Sequence, residues 1–584
     1  MKNFNFKPFA IFALAAVLLS GCAGLNKMKK NADQIQFNVT PEVLETHAGE
    51  VDLAINGKFP AKYFNKKATL VATPVLKYEA GETAYESVTL QGEKVEDNNK
   101  VISYSAGGTF TYNDAVDFAE AMRKSELMVN ITASKGSKSV DFEPIKIADG
   151  VIATSTMVAN VPKPVLGVRR EANNTGKYDP NIDPFQRIVP DEMLADIHYL
   201  INRAKLRGEE ITAEDVEEFL KYTQKANEEE RIDLKDVEVS AYASPDGEVD
   251  FNTDLAADRK NTSSKFVADK LIEAGVDINL KTRYTPEDWE GFKEKLEESN
   301  IQDKELILRV LSMYNDPEVR EREIRNLSET FTVLADEILP ELRRAKLSTS
   351  VDLIGKTDAE LKSLAQSDPA SLNPAELLYA ATLFNELDDQ LDVYNSFIKV
   401  YPDDWRGPNN AGYILVKQMK YDEAKPLFEK AERLKNDEPI IKNNLGAIAL
   451  YEGDVEQAET LFGAAAGAGD EVNYNLGIVS IKKANYSQAV RYFGDYQDTN
   501  SALAKMLTGN NNGALRDLEA FERENCFMKE YLKAVVGART AKENLLFDSL
   551  KEAVSINPDM KAKAKTDLEF VKYFNNPRFT EVVD

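Results

Sequence analysis

The stretch VEVSAYASPDGEVDFNTDLAADRKNTSSKFVADKLIEAG, residues 237–275, contains the sharpest change of pattern in the chain. Its first residues alternate apolar and polar side chains, which is the period of a half-buried strand. Pro-Asp-Gly at 245–247 then supplies turn-forming residues. Asn252 is expected to cap a following helix that ends at Gly275. The stretch therefore predicts a strand, a tight loop and a helix.

Four residues of this unit stand at the spacing that marks OmpA-like periplasmic domains: Gly247, Asn252, Leu255 and Arg259. The unit resembles that family, in which a loop Asp and the helix Arg hold the diaminopimelate of peptidoglycan. The resemblance implies a peptidoglycan-binding set of Arg259, Asp246 and Asn252. Ser244 occupies the position of the family's loop Asp, so Asp246 could replace that carboxylate only if the loop had a different shape. From the residues alone, Arg259 could equally pair at the surface with Glu248 or Asp254.

The surrounding region, residues 189–355, extends this unit into an α+β domain. A strand from about residue 196 and a helix capped by Thr212 are expected before it, and a charged helical insertion reaches about Leu334 after it. Ser-Pro-Asp-Gly in the loop, Glu-Asp-Trp after the helix and Leu-Pro-Glu-Leu-Arg near the end resemble OmpA-like variants of Bacteroidota envelope proteins. We predict an OmpA-like domain with a helical insertion.

The C-terminal region, residues 356–584, is helical and repetitive. Gly412, Ala424 and Phe428 recur 34 residues later as Gly446, Ala458 and Phe462, and 31 residues after that as Gly477, Ala489 and Phe493. The spacing resembles the tetratricopeptide repeat, in which small residues lie where paired helices touch and an aromatic lies where the next repeat packs. An all-α tetratricopeptide solenoid is therefore expected here.

Three asparagines stand two residues before the repeat glycines, at Asn410, Asn444 and Asn475. The repeat pattern places them on the inner helices that line the concave groove. In the tetratricopeptide family such asparagines clamp the backbone of an extended peptide, so the resemblance implies binding of a partner peptide. Hydrogen bonding between repeats is the equal alternative.

The N-terminus is expected to be an export signal with a lipid anchor. Residues 1–21 combine early lysines with a short apolar run and end in Leu-Ser-Gly before Cys22. This resembles the bacterial lipobox, which implies acylation of Cys22 and an outer-membrane lipoprotein that faces the periplasm. Acidic sorting residues do not follow the cysteine. The alternative is an ordinary signal followed by a buried cysteine. Residues 22–33 are predicted to be a polar tether.

Between the tether and the OmpA-like domain we predict two further segments. Residues 34–161 contain about seven short β-rich runs separated by turn residues, which favours an immunoglobulin-like β-sandwich. Residues 162–188 contain four prolines and two glycines without sustained periodicity, and are predicted to be a linker.

Composition narrows the function. The 72 basic and 98 acidic residues give a net charge of −26, which argues against nucleic acid and anionic lipid as partners of the folded body. Two cysteines and two histidines cannot form a zinc site or a disulfide framework. Nucleotide-binding, metalloprotease and serine-hydrolase motifs are absent from the sequence. Asp250-x-Asn252-x-Asp254 begins like a calcium loop but lacks its Gly and final Glu.

These patterns favour a non-enzymatic periplasmic scaffold without cofactor or metal, whose tetratricopeptide groove binds an envelope protein. The first alternative is a peptidoglycan tether between the outer membrane and the cell wall. A third hypothesis, an enzyme acting on cell-wall or surface glycans, rests only on the abundance of acidic side chains.

Overall fold

The computed structural model describes residues 24–167, 185–301, 304–314, 316–326 and 328–584. The predicted signal peptide, residues 1–21, and the predicted lipidation site Cys22 lie outside the described residues. The chain divides into two compact units. The first comprises Met1–Arg169 and Glu386–Asp584, and the second Arg170–Asn385. The N-terminal β-rich region and the C-terminal repeats therefore belong to one unit.

The first element described in this unit is a helix, α1, over residues 24–30. Leu25 and Met28 are buried in the core of the β-rich region, and the Tyr63 hydroxyl donates to the Met28 carbonyl at 2.9 Å. The predicted polar tether is wrong for these residues, because two apolar side chains three positions apart bury one face of α1.

Two sheets follow α1 and share one hydrophobic core. Their strands are β1 (Gln36–Thr40), β2 (Leu44–His47), β3 (Glu50–Phe59), β4 (Thr69–Tyr78), β5 (Gly81–Ala84), β6 (Val88–Gly92), β7 (Lys100–Ile102), β8 (Gly108–Asp117), β9 (Ser125–Lys135), β10 (Lys138–Asp141), β11 (Ile145–Asp149) and β12 (Val151–Ile152). In one sheet β3 pairs with β8 on one edge and with β1 and β2 on the other, while β12 lies beside β2. The second runs β10-β9-β4-β6-β7, with β11 on β9 and β5 on β4.

The core explains this arrangement. Strand β3 alternates exposed and buried residues, and its inward side chains Leu53 and Ile55 belong to the same cluster as Val129 and Ile131 of β9 in the other sheet. The sheet-rich N-terminal region is confirmed, and the immunoglobulin-like topology stays a prediction.

The second unit contains a four-stranded sheet with the order β13-β16-β14-β15. Its strands are β13 (Ile188–His198), β14 (Ile232–Tyr242), β15 (Lys281–Thr285) and β16 (Arg344–Ile354). Strands β14 and β15 are parallel, and the other pairs are antiparallel. Helices α2 (Gly208–Ile211) and α3 (Glu214–Glu228) connect β13 to β14, and α4 (Val249–Glu273) connects β14 to β15.

The predicted strand, loop and helix are present, with corrections at their ends. Strand β13 begins at Ile188, earlier than expected, and α3 follows Ala213 rather than a Thr212 cap. Helix α4 begins at Val249, so Asn252 lies inside it and is not its cap. Gly275 closes α4 with a φ of +72°, as a residue after a helix C-terminus does.

The expected insertion forms α5 (Trp289–Glu298), α6 (Lys304–Met313), α7 (Pro317–Arg325) and α8 (Ser328–Glu337). Buried residues such as Phe292, Leu296 and Ile307 give it a core of its own. Two later helices, α9 (Asp358–Ser367) and α10 (Pro374–Thr382), also belong to the second unit. The unit boundary therefore follows Asn385, whereas the sequence suggested residue 355.

The repeats of the first unit are antiparallel helix pairs. Their helices are α11 (Leu387–Val400), α12 (Arg406–Lys417), α13 (Tyr421–Leu434), α14 (Pro439–Glu452), α15 (Val455–Ala464), α16 (Asp470–Lys482), α17 (Tyr486–Phe493), α18 (Thr499–Leu507), α19 (Asn511–Ala520), α20 (Phe527–Arg539), α21 (Glu543–Ile556), α22 (Met560–Thr566) and α23 (Pro577–Val583). None of the helices in the described ranges is long and apolar enough to cross a membrane.

The repeat glycines set how closely paired helices approach. A Cβ added at Gly412 would lie 2.7 Å from the ring of Phe428, and one at Gly446 would lie 2.7 Å from Phe462. Each aromatic therefore packs on the glycine of its own helix pair, and Phe428 also shares a buried cluster with Ile448 of the next repeat, as expected. The glycine leaves the room that the ring fills.

Candidate functional site

One face of the repeats carries a row of buried asparagines. Asn410 on α12, Asn444 on α14, Asn475 on α16 and Asn500 on α18 have exposed fractions of 0–1%. A buried carboxamide needs partners for both its N–H and its C=O, since leaving either unpaired costs about 1–3 kcal/mol. The row therefore needs hydrogen-bond partners along its length.

Such partners lie in the chain's own residues 158–167, which we call the groove segment. The Val165 N–H donates to Asn444 Oδ1 at 2.7 Å, and Asn444 Nδ2 donates to the Val165 carbonyl at 2.8 Å. Asn475 holds Lys163 in the same two-point way, at 2.7 and 2.9 Å. Each carboxamide thus pairs with one residue as a neighbouring β-strand would.

Asparagines hold both ends of the groove segment, with two hydrogen bonds at one end and one at the other, where Asn410 Nδ2 has no hydrogen-bond partner among the described residues. Asn500 pairs with Ala159 at 2.8 and 3.0 Å, and the Gly167 N–H donates to Asn410 Oδ1 at 2.7 Å. The three asparagines predicted to bind a partner peptide therefore bind a peptide segment of this same chain. Residues 162–167 belong to this segment and are not part of a free linker.

The prolines of the groove segment fit this pairing. Lys163, Val165 and Gly167 each donate an N–H to an asparagine, whereas Pro162 and Pro164 occupy the alternate positions. Proline has no N–H, so at these positions it leaves the row of hydrogen bonds intact and restricts the free chain. The same prolines suggested a linker in the sequence.

The carboxamides also bond to one another between repeats. Asn444 Nδ2 donates to Asn409 Oδ1, and Asn475 Nδ2 donates to Asn443 Oδ1, both at 2.9 Å. Asn443 donates in addition to the Lys163 carbonyl at 3.1 Å. Peptide clamping and inter-repeat bonding, posed as alternatives from the sequence, are both present in one network.

A cation site holds the side chain of Lys163. Its ammonium lies 3.9 Å from the ring centroid of Tyr474 and 3.8 Å from that of Tyr496. Burial lowers the pKa of Lys163, while the charges of Asp498 and Glu471 act in the opposite direction. Contact with two rings compensates the ammonium for lost hydration.

Apolar and polar contacts join the groove segment and the β-rich region to the repeats. Val165 is 1% exposed and belongs to the core of the repeats. His47 Nδ1 lies 2.6 Å from the Tyr486 hydroxyl, and the Thr154 hydroxyl donates to Glu569. These contacts connect residues more than 400 positions apart, which is why the two regions form one unit.

In the second unit, Arg259 is enclosed. Its side chain is 0% exposed and donates to three backbone carbonyls: Arg203 at 3.0 Å, Tyr242 at 2.8 Å and Leu200 at 3.3 Å. Burial lowers its pKa to about 10, so the guanidinium stays charged at neutral pH. The expected alternative of a surface ion pair with Glu248 or Asp254 is wrong, because Arg259 faces the interior.

Asp246 and Asn252, the other residues of the predicted peptidoglycan set, lie at the loop after β14. Asn252 Nδ2 donates to the carbonyls of Ser244 and Gly247, both at 3.1 Å, and so fixes the loop from inside α4. Asp246 accepts from the Ser244 hydroxyl and lies 3.4 Å from Arg343 Nη2. The loop charge is therefore engaged by Arg343, and peptidoglycan binding stays a prediction.

Among the described residues, His, Cys, Asp and Glu nowhere form a group of three or more that could hold a metal ion. The carboxylates near Arg344 form ion pairs and hydrogen bonds within the fold instead of a metal site. Arg344 donates to Asp196 at 2.9 Å and lies 3.6 Å from Asp288, which also accepts the Gly291 N–H at the start of α5. This cluster ties β16 to the insertion.

Sequence reasoning missed Asn500, Asn409, Asn443 and Lys163 as groove residues. Asn409 and Asn443 share the 34-residue offset of their neighbours, which is a signal that the sequence contains. Asn500 follows Asn475 by 25 residues and breaks the period. The role of Lys163 depends on aromatic residues more than 300 positions away, which local pattern does not indicate.

No protein-family model and no curated protein match the chain. Solved structures do match it. The Cut9–Hcn1 hetero-tetramer of APC/C is 14% identical with a TM-score of 0.31, and the match covers 39% of this chain and 45% of that one. A tetratricopeptide repeat protein from Parabacteroides merdae is 16% identical with a TM-score of 0.27, over 39% of this chain and 89% of that one.

A third match is YrrB, a TPR protein with an unusual peptide-binding site, at 18% identity and a TM-score of 0.21, over 36% of this chain and 99% of that one. The chain thus spans less than half of Cut9–Hcn1 and nearly all of YrrB. At these scores the likeness carries no functional argument, and the function must be inferred from the geometry of the groove.

Proposed function

We propose that the protein is a non-enzymatic scaffold of the periplasm, anchored to the outer membrane through acylated Cys22, whose repeat groove is an internal clamp. The clamp holds the groove segment and thereby joins the β-rich region to the repeats as one body. A partner protein of the cell envelope binds to that joined body. The observation that carries the proposal is the two-point pairing of Asn444 with Val165, of Asn475 with Lys163 and of Asn500 with Ala159.

Covalent attachment favours the internal ligand. The groove segment follows β12 closely, and the β-rich region that contains β12 itself contacts the repeats, so the segment is held near its site at a high effective concentration and a free peptide of similar affinity competes poorly. The partner protein therefore binds to surfaces of the β-rich region and the repeats whose arrangement the clamp fixes. This distinguishes the proposal from a groove that awaits a free peptide, which the sequence suggested.

The test is cross-linking of the lipoprotein in cells, followed by purification and mass spectrometry. We compare the natural chain with Val165→Pro, which removes an N–H that Asn444 binds, and with Leu166→Pro, which lies at an alternate position. The proposal predicts one partner that the natural chain and Leu166→Pro capture equally and that Val165→Pro loses. Increased capture by Val165→Pro would show that the groove itself is the partner site. Capture of no protein by the natural chain would overturn the scaffold.

Anchoring is tested separately. We expect Cys22→Ser to move the protein from the membrane to the soluble fraction, because acyl chains supply the hydrophobic surface for stable attachment. Cys526→Ser is the matched control, since Cys526 precedes α20 inside the repeats, and it should leave the protein in the membrane. Retention of Cys22→Ser in the membrane fraction would refute the lipid anchor.

A further inference from the structure

The start of the described chain is fixed to one end of the β-rich region. Leu25 and Met28 of α1 are 0% and 1% exposed. The Asn65 N–H donates to Met28 Sδ at 3.4 Å, and a Cβ added at Gly24 would lie 2.4 Å from Asn65 Nδ2. Gly24 therefore lies directly on the loop that contains Asn65.

This position limits the distance between a lipid anchor and the folded region. Two peptide units separate Cys22 from Gly24, and extended chain spans at most about 3.6 Å per residue, or roughly 7 Å in all. If Cys22 is acylated, which is part of the proposed function, the loop around Asn65 is held against the membrane surface.

The same end carries lysines. Lys27 and Lys30 are on α1, Lys62, Lys66 and Lys67 surround Asn65, and the Lys94 N–H donates to the Lys66 carbonyl at 2.7 Å. Acidic neighbours are fewer: Glu93 pairs with Lys66 at 2.9 Å and Glu143 with Lys29 of α1 at 3.4 Å, Asp33 follows α1, and Glu96 and Asp97 follow Glu93 on the same loop. A basic end is notable in a chain with a net charge of −26.

We propose that this basic end binds the anionic headgroups of a phospholipid surface. Attraction between exposed lysines and anionic lipid acts within a Debye length, about 8 Å at physiological salt, which matches the reach set by Cys22. The acidic remainder of the chain is repelled by the same surface. The two effects together orient the β-rich region with α1 toward the membrane. The expectation that net charge excludes anionic lipid as a partner is revised for this end alone.

The test uses the full mature chain with Cys22→Ser, so that acyl chains do not contribute. Binding is measured by sedimentation with vesicles of phosphatidylglycerol and phosphatidylcholine, and with vesicles of phosphatidylcholine alone. One variant replaces the basic end by glutamine, at Lys27, Lys30, Lys62, Lys67 and Lys94. The control replaces five exposed lysines of the repeats by glutamine, at Lys399, Lys420, Lys542, Lys551 and Lys572.

We expect the basic-end variant to lose about tenfold or more in partition to anionic vesicles and the repeat control to stay within about twofold. Higher salt should weaken binding to anionic vesicles, and vesicles of phosphatidylcholine alone should bind none of the three chains. Equal binding by both variants, or no binding of the unsubstituted chain to anionic vesicles, would overturn the proposal. Because acylation is absent throughout, failure here is distinguishable from failure of the Cys22 anchor.

Discussion

Val165→Pro is expected to release the groove segment from the repeats. The substitution removes the N–H that donates to Asn444 Oδ1 at 2.7 Å and leaves that buried oxygen without this donor. Asn444 Oδ1 then keeps only the 3.2 Å bond from Asn443 Nδ2, a loss of about 1 kcal/mol, and the proline ring replaces a side chain that is 1% exposed in the core. We expect a total loss of about 3 kcal/mol or more in holding the segment.

The measurement is limited proteolysis of the full chain, followed by mass spectrometry of the fragments. Val165→Pro should become sensitive to cleavage around residues 158–167, while Leu166→Pro should resist it as the natural chain does. The control is close, because both variants add one proline to the same segment and the pairing at 159, 163, 165 and 167 does not use Leu166. Equal sensitivity of the two variants to proteolysis would contradict the alternation of residues that donate an N–H to an asparagine with residues that do not.

Arg259→Ala is expected to destabilise the second unit severely. The change leaves the carbonyls of Arg203, Tyr242 and Leu200 without their guanidinium donor and creates a cavity against the ring of Tyr199, whose centroid lies 5.1 Å away. Lost hydrogen bonds and a cavity of this kind together cost about 3–5 kcal/mol. Loss of sacculus binding by this variant would therefore follow from unfolding, whatever the chain's affinity for peptidoglycan.

Hydrogen exchange of α4 peptides in the full chain measures this effect. Faster exchange of α4 is expected in Arg259→Ala, and an intermediate effect in Arg259→Lys, which keeps the charge but not the planar set of donors. Asp246→Ala is the control, because its side chain is 22% exposed and lies in the loop outside the core. Unchanged α4 exchange in Arg259→Ala would mean that the enclosed guanidinium is not structural.

The sequence pattern predicted those helices, strands and turns that are determined by residues close to them in the chain. Alternation identified β14, turn residues identified the loop after it, and Gly275 identified the end of α4. The recurrence of Gly412 as Gly446 and Gly477 identified the repeats, because each needs space for the ring of an aromatic 16 residues later. These features depend on neighbours within one helix pair or one strand, so the sequence displays them.

Features that depend on distant partners were not predicted. Pro162 and Pro164 suggest a linker unless the asparagines some 280 residues away are known to pair with the alternate positions. Arg259 matched a binding motif, yet the loop that supplies the carbonyls of Leu200 and Arg203 encloses it. Spacing identifies a position, whereas burial depends on what the remainder of the fold places around it.

The most direct test of the central claim is amide hydrogen exchange across residues 158–167 in the natural full chain. The clamp predicts slow exchange at Ala159, Lys163, Val165 and Gly167, whose N–H groups donate to asparagines. Asn410→Ala, Asn444→Ala and Asn475→Ala combined should accelerate exchange at the last three amides. Exchange at the rate of an unstructured chain in the natural protein would contradict the internal clamp.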